Sequence, residues 1–201
     1  LLPALHNLQG PAVGGEHRVT ERFIPFIEKK LFLKVNREKT AVDEATRVKF
    51  LGFSYYKRDG ETKVRIHPKS VAKMKAKIKE LTSRSKGIGN EDRAEKLRRY
   101  IMGWVNYFKI ADMKSLLQTT DQWMRRRIRM IYWKQWKRVR TRFANLKSLG
   151  LRVQQAWEYA NTRKGYWRTS NSPILSKSLG NNVLKQLGFL FFADYYRQVT
   201  T

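Results

Sequence analysis

From Pro68 onward, apolar side chains recur every three or four residues; in the hairpin segment just before it they follow a shorter period. Val71, Met74, Ile78 and Leu81 mark one helical face. Pro68 suits the first turn, where the N–H it lacks would have no partner inside the helix. Gly87-Ile88-Gly89-Asn90 breaks the pattern, with Asn90 the expected N-cap of the next helix. That helix covers 91–110 and aligns Ala94, Leu97, Ile101, Trp104, Val105 and Phe108. A further start falls at Asp112 or at Thr119-Thr120. One long helix is then expected from about 120 to 144, ended by Ser148-Leu149-Gly150. Shorter helices are expected over 152–161 and 181–197, on either side of the polar stretch TRKGYWRTSNSP (162–173).

Upstream the pattern differs. Residues 1–16 hold Pro3, Gly10, Pro11, Gly14 and Gly15 without a clear period, and read as a loop or arm. Val19, Phe23, Phe26, Ile27 and Leu31 lie near helical spacing, interrupted by Pro25. LKVNREKTAV reads as a short strand and turn. VKFLGFSYY (48–56) is rich in strand formers, Asp59-Gly60 supplies a turn, and Val64 and Ile66 alternate on the return. The expectation is a mainly α chain: a small β-hairpin followed by a helical bundle. No internal repeat is visible.

Composition changes this picture in one respect. Of 201 residues, 41% are hydrophobic, with six Trp, nine Tyr and ten Phe, so a real core is affordable. But 43 Lys and Arg face 16 Asp and Glu, a formal charge of +27. Self-repulsion of that size points to a polyanionic partner. A membrane is the weaker choice, since no run approaches the roughly 20 apolar residues of a spanning helix. The first residues lack the basic start of a signal peptide. With no cysteine there is neither a disulfide nor a thiolate metal site, which fits a cytoplasmic protein.

The charge concentrates in MRRRIRMIYWKQWKRVRTR (124–142), where nine of nineteen residues are basic and none is acidic. As a helix this stretch would be about 28 Å long. Met124, Ile128, Ile131, Tyr132, Val139 and Phe143 fall near one face. The candidate nucleic-acid-binding residues are Arg125, Arg126, Arg127, Arg129, Lys134, Lys137, Arg138, Arg140 and Arg142. Seven of those nine are Arg, whose planar fork meets phosphate oxygens and stacks on bases. No acid within the run itself is there to pair with them at a spacing of four. Trp133 and Trp136 read as core anchors, with base stacking by one of them the alternative. Lys164 and Arg168 flank Tyr166 and Trp167 in a second basic and aromatic cluster. It fits either a loop pinned to the helices or a platform for unpaired bases.

LKVNREKT followed by KFLGF resembles the late palm motifs of group II intron reverse transcriptases. RRYIMGWVNYFKIADM, TTDQWMRRRIRMIYWKQWK, RKGYWRTSNSPIL and LGFLFFADYYRQV are similar to their thumb, or maturase-specific X domain. The resemblance covers about residues 17–199. It implies an arm over 1–16, the end of a reverse-transcriptase palm over 17–67 and a helical thumb/X domain over 68–201. Lys49, Phe50, Leu51, Gly52 and Phe53 match the hairpin that grips the primer, and Lys39 the late-palm lysine. Family members bind intron RNA, assist its splicing and copy RNA into DNA, using paired Asp in a YADD motif to hold divalent metal ions. Spacing places that motif near residues 2–5, where this chain reads LPAL. The resemblance is therefore to a truncated member, an RNA-binding fragment with no catalytic residue, metal ligand or cofactor of its own. Mg²⁺ would enter only with a complementing palm.

Other chemistry is thinly represented. His6, His17 and His67 lack metal-ligand spacing. Gly87-Ile88-Gly89 lacks the Lys-Ser/Thr of a phosphate loop. Phe192-Ala193-Asp194 echoes the polymerase motif with one acid, and reads as a helix-capping or surface Asp. Structured group II intron RNA is the expected partner. The alternatives are one part of a split RNA-directed DNA polymerase, joined by a separate palm and fingers chain, and a nonspecific binder of duplex DNA.

Overall fold

The computed structural model describes residues 15–36 and 46–200, and the side chains of those from 21 on. Most of the 1–16 arm and Lys39 lie outside the described residues. Helix α1 (Gly15–Lys30) runs through Pro25. Phe23, Phe26 and Leu31, which helical spacing aligned, are all more than half exposed. A two-stranded antiparallel hairpin follows, β1 (Phe53–Arg58) and β2 (Glu61–Ile66). Asp59 and Gly60 both take left-handed φ angles, 54° and 78°, which is the turn an Asp-Gly pair favours because its twist matches the strands.

The strand starts later than VKFLGFSYY suggests. Leu51 and Gly52 also take left-handed φ, 49° and 89°, and fold a tight turn. Reciprocal Phe50–Phe53 backbone bonds of 3.1 and 2.8 Å close it. Gly52 is required there twice over. Its φ disfavours a side chain, and a Cβ would meet Ser70 Oγ at 3.1 Å and the Phe108 ring at 3.2 Å. The hairpin is fastened to the helices. Ser70 Oγ and His67 N donate to Gly52 O, Tyr107 Oη donates to Leu51 O, and Asp112 N donates to Val64 O. Phe53 packs against the rings of Tyr107 and Phe108.

His67 caps α2 (Pro68–Leu81), its Nδ1 accepting from Lys69 N. Burial, then neighbouring cations, holds its imidazole below the usual range. Helix α3 (Asn90–Phe108) begins one residue earlier than expected, so Gly89 is the N-cap. The Asn90 side chain is taken instead by Gln135, through reciprocal amide bonds of 2.8 and 3.1 Å.

The long basic helix is the main correction. It is two helices, α4 (Lys114–Gln135) and α5 (Val139–Ser148). The break needs neither Gly nor Pro. Trp136 leaves helical geometry at ψ 66° with its side chain buried, and Arg142 Nε donates to the freed Trp136 carbonyl at 2.9 Å. Buried indole and satisfied carbonyl together stabilise the bend. After α6 (Val153–Ala160) the polar stretch folds into a single turn, α7 (Tyr166–Thr169). Helix α8 (Pro173–Ser178) forms where no helix was expected, and the expected last helix is divided between α9 (Asn181–Gln186) and α10 (Phe192–Thr200).

Among the described residues this gives ten helices and one hairpin, the expected mainly α class. Met74 and Ile78 of α2, Leu97, Ile101 and Val105 of α3, Leu117, Met124 and Ile128 of α4 and Phe191-Phe192 form one core. Among the described residues no helix is long and apolar enough to cross a membrane.

Candidate nucleic-acid interface

Nine cations of the 124–142 run separate into two groups. Those on α4 turn toward the protein. Arg127 Nε donates to Thr82 Oγ1 at 2.6 Å, and its Nη2 to Lys79 O and Thr82 O at 3.1 and 3.2 Å. These are carbonyls at the α2 C-terminus, where the helix has no N–H left to offer. Arg129 does the same for the end of α8, donating to Leu179 O at 3.0 Å and Ser176 Oγ at 3.3 Å. Burial pushes both guanidinium groups down, and Arg125 adds to this at Arg129.

Arg126 stacks on the Trp167 ring at 3.9 Å and donates to the Trp167 carbonyl, pinning α7 to α4. Arg125 lies over Phe191 at 4.7 Å. Lys134 donates to Arg84 O in the α2–α3 connection. Arg142, on α5, joins this inward group: it lies over Trp133 at 4.6 Å and bonds Trp136 O and Ala160 O. Trp133 and Trp136 are 1% and 7% exposed, so they are core anchors and present no ring to a base.

The second group faces outward. Lys137, Arg138 and Arg140 sit at the α4–α5 bend, exposed, and their side chains make no hydrogen bond or ion pair with the described residues. Lys164, just before α7, and Arg168, within it, are exposed. The electrostatic setting is lopsided. Between Asp121 and Asp194 the chain carries sixteen Lys and Arg and one acid, Glu158. Such a surface has almost nothing of its own to neutralise it.

Two buried charges were not singled out by sequence. Arg93 is 2% exposed and donates to Leu81 O at 2.8 Å, Ser83 O at 3.2 Å and Ile88 O at 3.2 Å, closing the turn after α2. Asp121 is fully buried in α4, and its two oxygens accept from Phe192 N and Ala193 N at 2.9 and 2.8 Å. It caps α10 from another helix. Burial raises its carboxyl to about 6, and the two N–H bonds and Arg125 oppose that without winning. Both residues had a signal: each stands alone on an apolar stripe, Arg93 four before Leu97 and Asp121 four after Leu117. Asp194, in the first turn of α10, pairs with Lys185 at 2.9 Å, a surface role.

Phe50 and Leu51 of the primer-grip-like turn are 60% and 65% exposed, and Lys49 is exposed beside them. Among the described residues no three His, Cys, Asp or Glu come together as metal ligands. Positions 2–5, where the resemblance places the polymerase acids, lie outside those residues.

No curated protein matches the chain. Residues 71–150 match the family described as group II intron, maturase-specific domain. That span runs from α2 through the end of α5 and holds the whole 124–142 run, both the inward cations and the outward ones. The helices that carry this charge, α2 to α5, are thus similar to a group II intron maturase-specific domain.

Proposed function

We propose that the chain binds structured group II intron RNA and holds it folded for splicing, making and breaking no bonds itself. The supporting observation is the set of exposed, unpaired cations at the α4–α5 bend, Lys137, Arg138 and Arg140, within a stretch holding one acid. Lys164 and Arg168 add to it. Each phosphate they neutralise releases condensed counterions, so affinity falls as salt rises. Five such contacts correspond to a slope of about −4 in log K against log salt.

The test is competition at one salt concentration among a structured group II intron RNA, duplex DNA and an unstructured RNA of equal length. The structured RNA is expected to win by about tenfold or more, about 1.4 kcal/mol. Equal affinity for all three would reduce the surface to a nonspecific polyanion clamp. Primer extension with Mg²⁺ or Mn²⁺ is expected to yield no product from this chain alone.

One observation favours a second reading, a piece of an assembled polymerase. Phe23, Phe26, Phe32 and Leu33, with Phe50 and Leu51, expose large apolar side chains over the segment resembling a palm. Adding a fingers-and-palm chain with paired Asp would then restore primer extension. No complex and no product on mixing would remove that reading.

A further inference from the structure

An open groove of about 870 Å³ runs between α2, the connection after it, α4 and α7. Lys79 and Arg84 line it from the α2 end, Trp123, Arg127 and Met130 from α4, and Trp167 from α7. Three separated segments of the chain therefore meet there. What distinguishes the groove is a repeated pairing around it. Arg126 stacks on Trp167 at 3.9 Å, Arg127 lies over Trp123 at 5.2 Å, and Arg84 lies over Tyr166 at 5.4 Å. A guanidinium on one face holds an aromatic ring in place and leaves the rest of it free. Trp167 remains 39% exposed.

The charge of the lining is as one-sided as the rest of the surface. Lys79, Arg84, Lys86 and Arg127 face a single acid, Glu80. That carboxylate is already bound by Lys86 at 2.8 Å and Lys77 at 2.9 Å, which push it down to about 2. Lys79 is exposed and its ammonium has no partner among the described residues, and Arg84 is exposed apart from its ring contact. The groove thus offers free cations beside a fixed indole.

We propose that this groove takes one unpaired nucleotide of an RNA strand, its base stacked on Trp167 and its phosphate met by Lys79 and Arg84. The inference rests on the RNA-binding reading and adds a discrimination that the exposed bend cannot make. Lys137, Arg138 and Arg140 see only phosphates, which duplex and single strand share. An indole can stack only on a base whose face is free, so the groove selects bulges, loops and ends. An acidic peptide would satisfy the cations and leave the indoles unused, and is the less complete fit.

The experiment uses the full chain and two RNAs with equal numbers of phosphates. One is fully paired; the other carries a single bulged 2-aminopurine. The native protein is expected to bind the bulged RNA more tightly and to quench its fluorescence. Trp167→Leu is expected to abolish the quench and weaken the bulged complex by roughly 5- to 100-fold, leaving the paired complex unchanged. Trp167→Phe, which keeps a ring, should recover part of both. Lys79→Gln touches no packing and should lower the salt slope on the bulged RNA by about 0.7.

Melting curves show which variants are folded, because Trp167→Leu also removes the ring under Arg126. An equal loss on both RNAs, or a quench that survives Trp167→Leu, would overturn the proposal. So would a glutamate-rich peptide that shifts the tryptophan fluorescence and displaces no bulged RNA. If the native protein bound both RNAs alike and left the fluorescence unchanged, the groove inference would fail and the RNA-binding reading would stand. If it bound neither RNA, both would fall.

Discussion

Arg127 and Arg138 belong to the same basic run, and the fold treats them oppositely. Arg127 reaches across to the end of α2 and holds three oxygens there, while Arg138 stands at the bend before α5 with nothing to hold. The same contrast separates Arg125, Arg126, Arg129, Lys134 and Arg142 from Lys137 and Arg140. A residue count assigns equal charge to all nine. What divides them is whether a carbonyl or an aromatic ring of the fold lies within reach of the side chain. Where α2, α8 and the 136–138 bend leave carbonyls unpaired, a guanidinium with five N–H groups supplies the missing donors. Where none lies near, the charge stays exposed. Much of the charge in this domain is therefore architecture.

The largest expected effect comes from removing an inward cation. Arg127→Leu leaves Thr82 Oγ1, Thr82 O and Lys79 O without that donor. It should cost on the order of 3 kcal/mol in urea unfolding, lowering Tm by roughly 6–12 °C for a chain of this size.

Asp121, the buried anion of the same helix, gives a comparable effect that depends on pH. Its folded carboxyl is raised to about 6 from 3.8, so the folded state keeps the proton where the unfolded state has lost it. Its contribution to stability is therefore greatest in acid and declines as pH rises from about 4 to about 6, by ~3 kcal/mol in all. The difference in stability between the native protein and Asp121→Asn, followed by urea unfolding from pH 4 to 7, should change in that window and flatten above it. No change across it would place Asp121 in a wetter site than the one described.

A smaller effect is expected at the joint between α3 and α4. Asn90→Ala breaks the reciprocal amide pair with Gln135 and should cost about 0.5–1.5 kcal/mol. Smallest of all for stability is the combined Lys137→Gln, Arg138→Gln and Arg140→Gln variant, which touches no internal bond. Its Tm should stay within about 2 °C of the native value.

Much of the fold was legible because its signals are local. Pro68, the 3–4 spacing of Val71 to Leu81, the apolar stripe of α3 and the Asp59-Gly60 turn each carry their meaning within a few residues. The break at Trp136 was not legible. It depends on an indole finding a buried site and on Arg142 reaching a carbonyl, and both facts are tertiary. Division of the last helix at Leu187–Phe191 is similar. Gly188, at φ 87°, was a visible breaker, but the start of α10 is set by Asp121 from a distant helix. Spacing marked Phe23 and Phe26 as one face and could not say what that face meets. For the candidate site, sequence marked nine cations alike, and packing leaves the side chains of only Lys137, Arg138 and Arg140 among them exposed and without a partner among the described residues. Composition measures charge, and only packing shows which charges are already engaged. The aromatic cluster around Trp167 was visible as a pattern, whereas Trp123 and Arg84 join it only through the meeting of α2, α4 and α7.

The division of the basic run is tested most directly by measuring two variants side by side, each for Tm and for the salt dependence of binding to a structured intron RNA. The triple variant at Lys137, Arg138 and Arg140 should melt like the native protein and lose about 2–3 from its salt slope. Arg127→Leu should melt well below it and, at a temperature where it remains folded, keep the native slope. A triple variant that binds with the native slope, or an Arg127→Leu protein that melts normally and loses slope, would contradict the account.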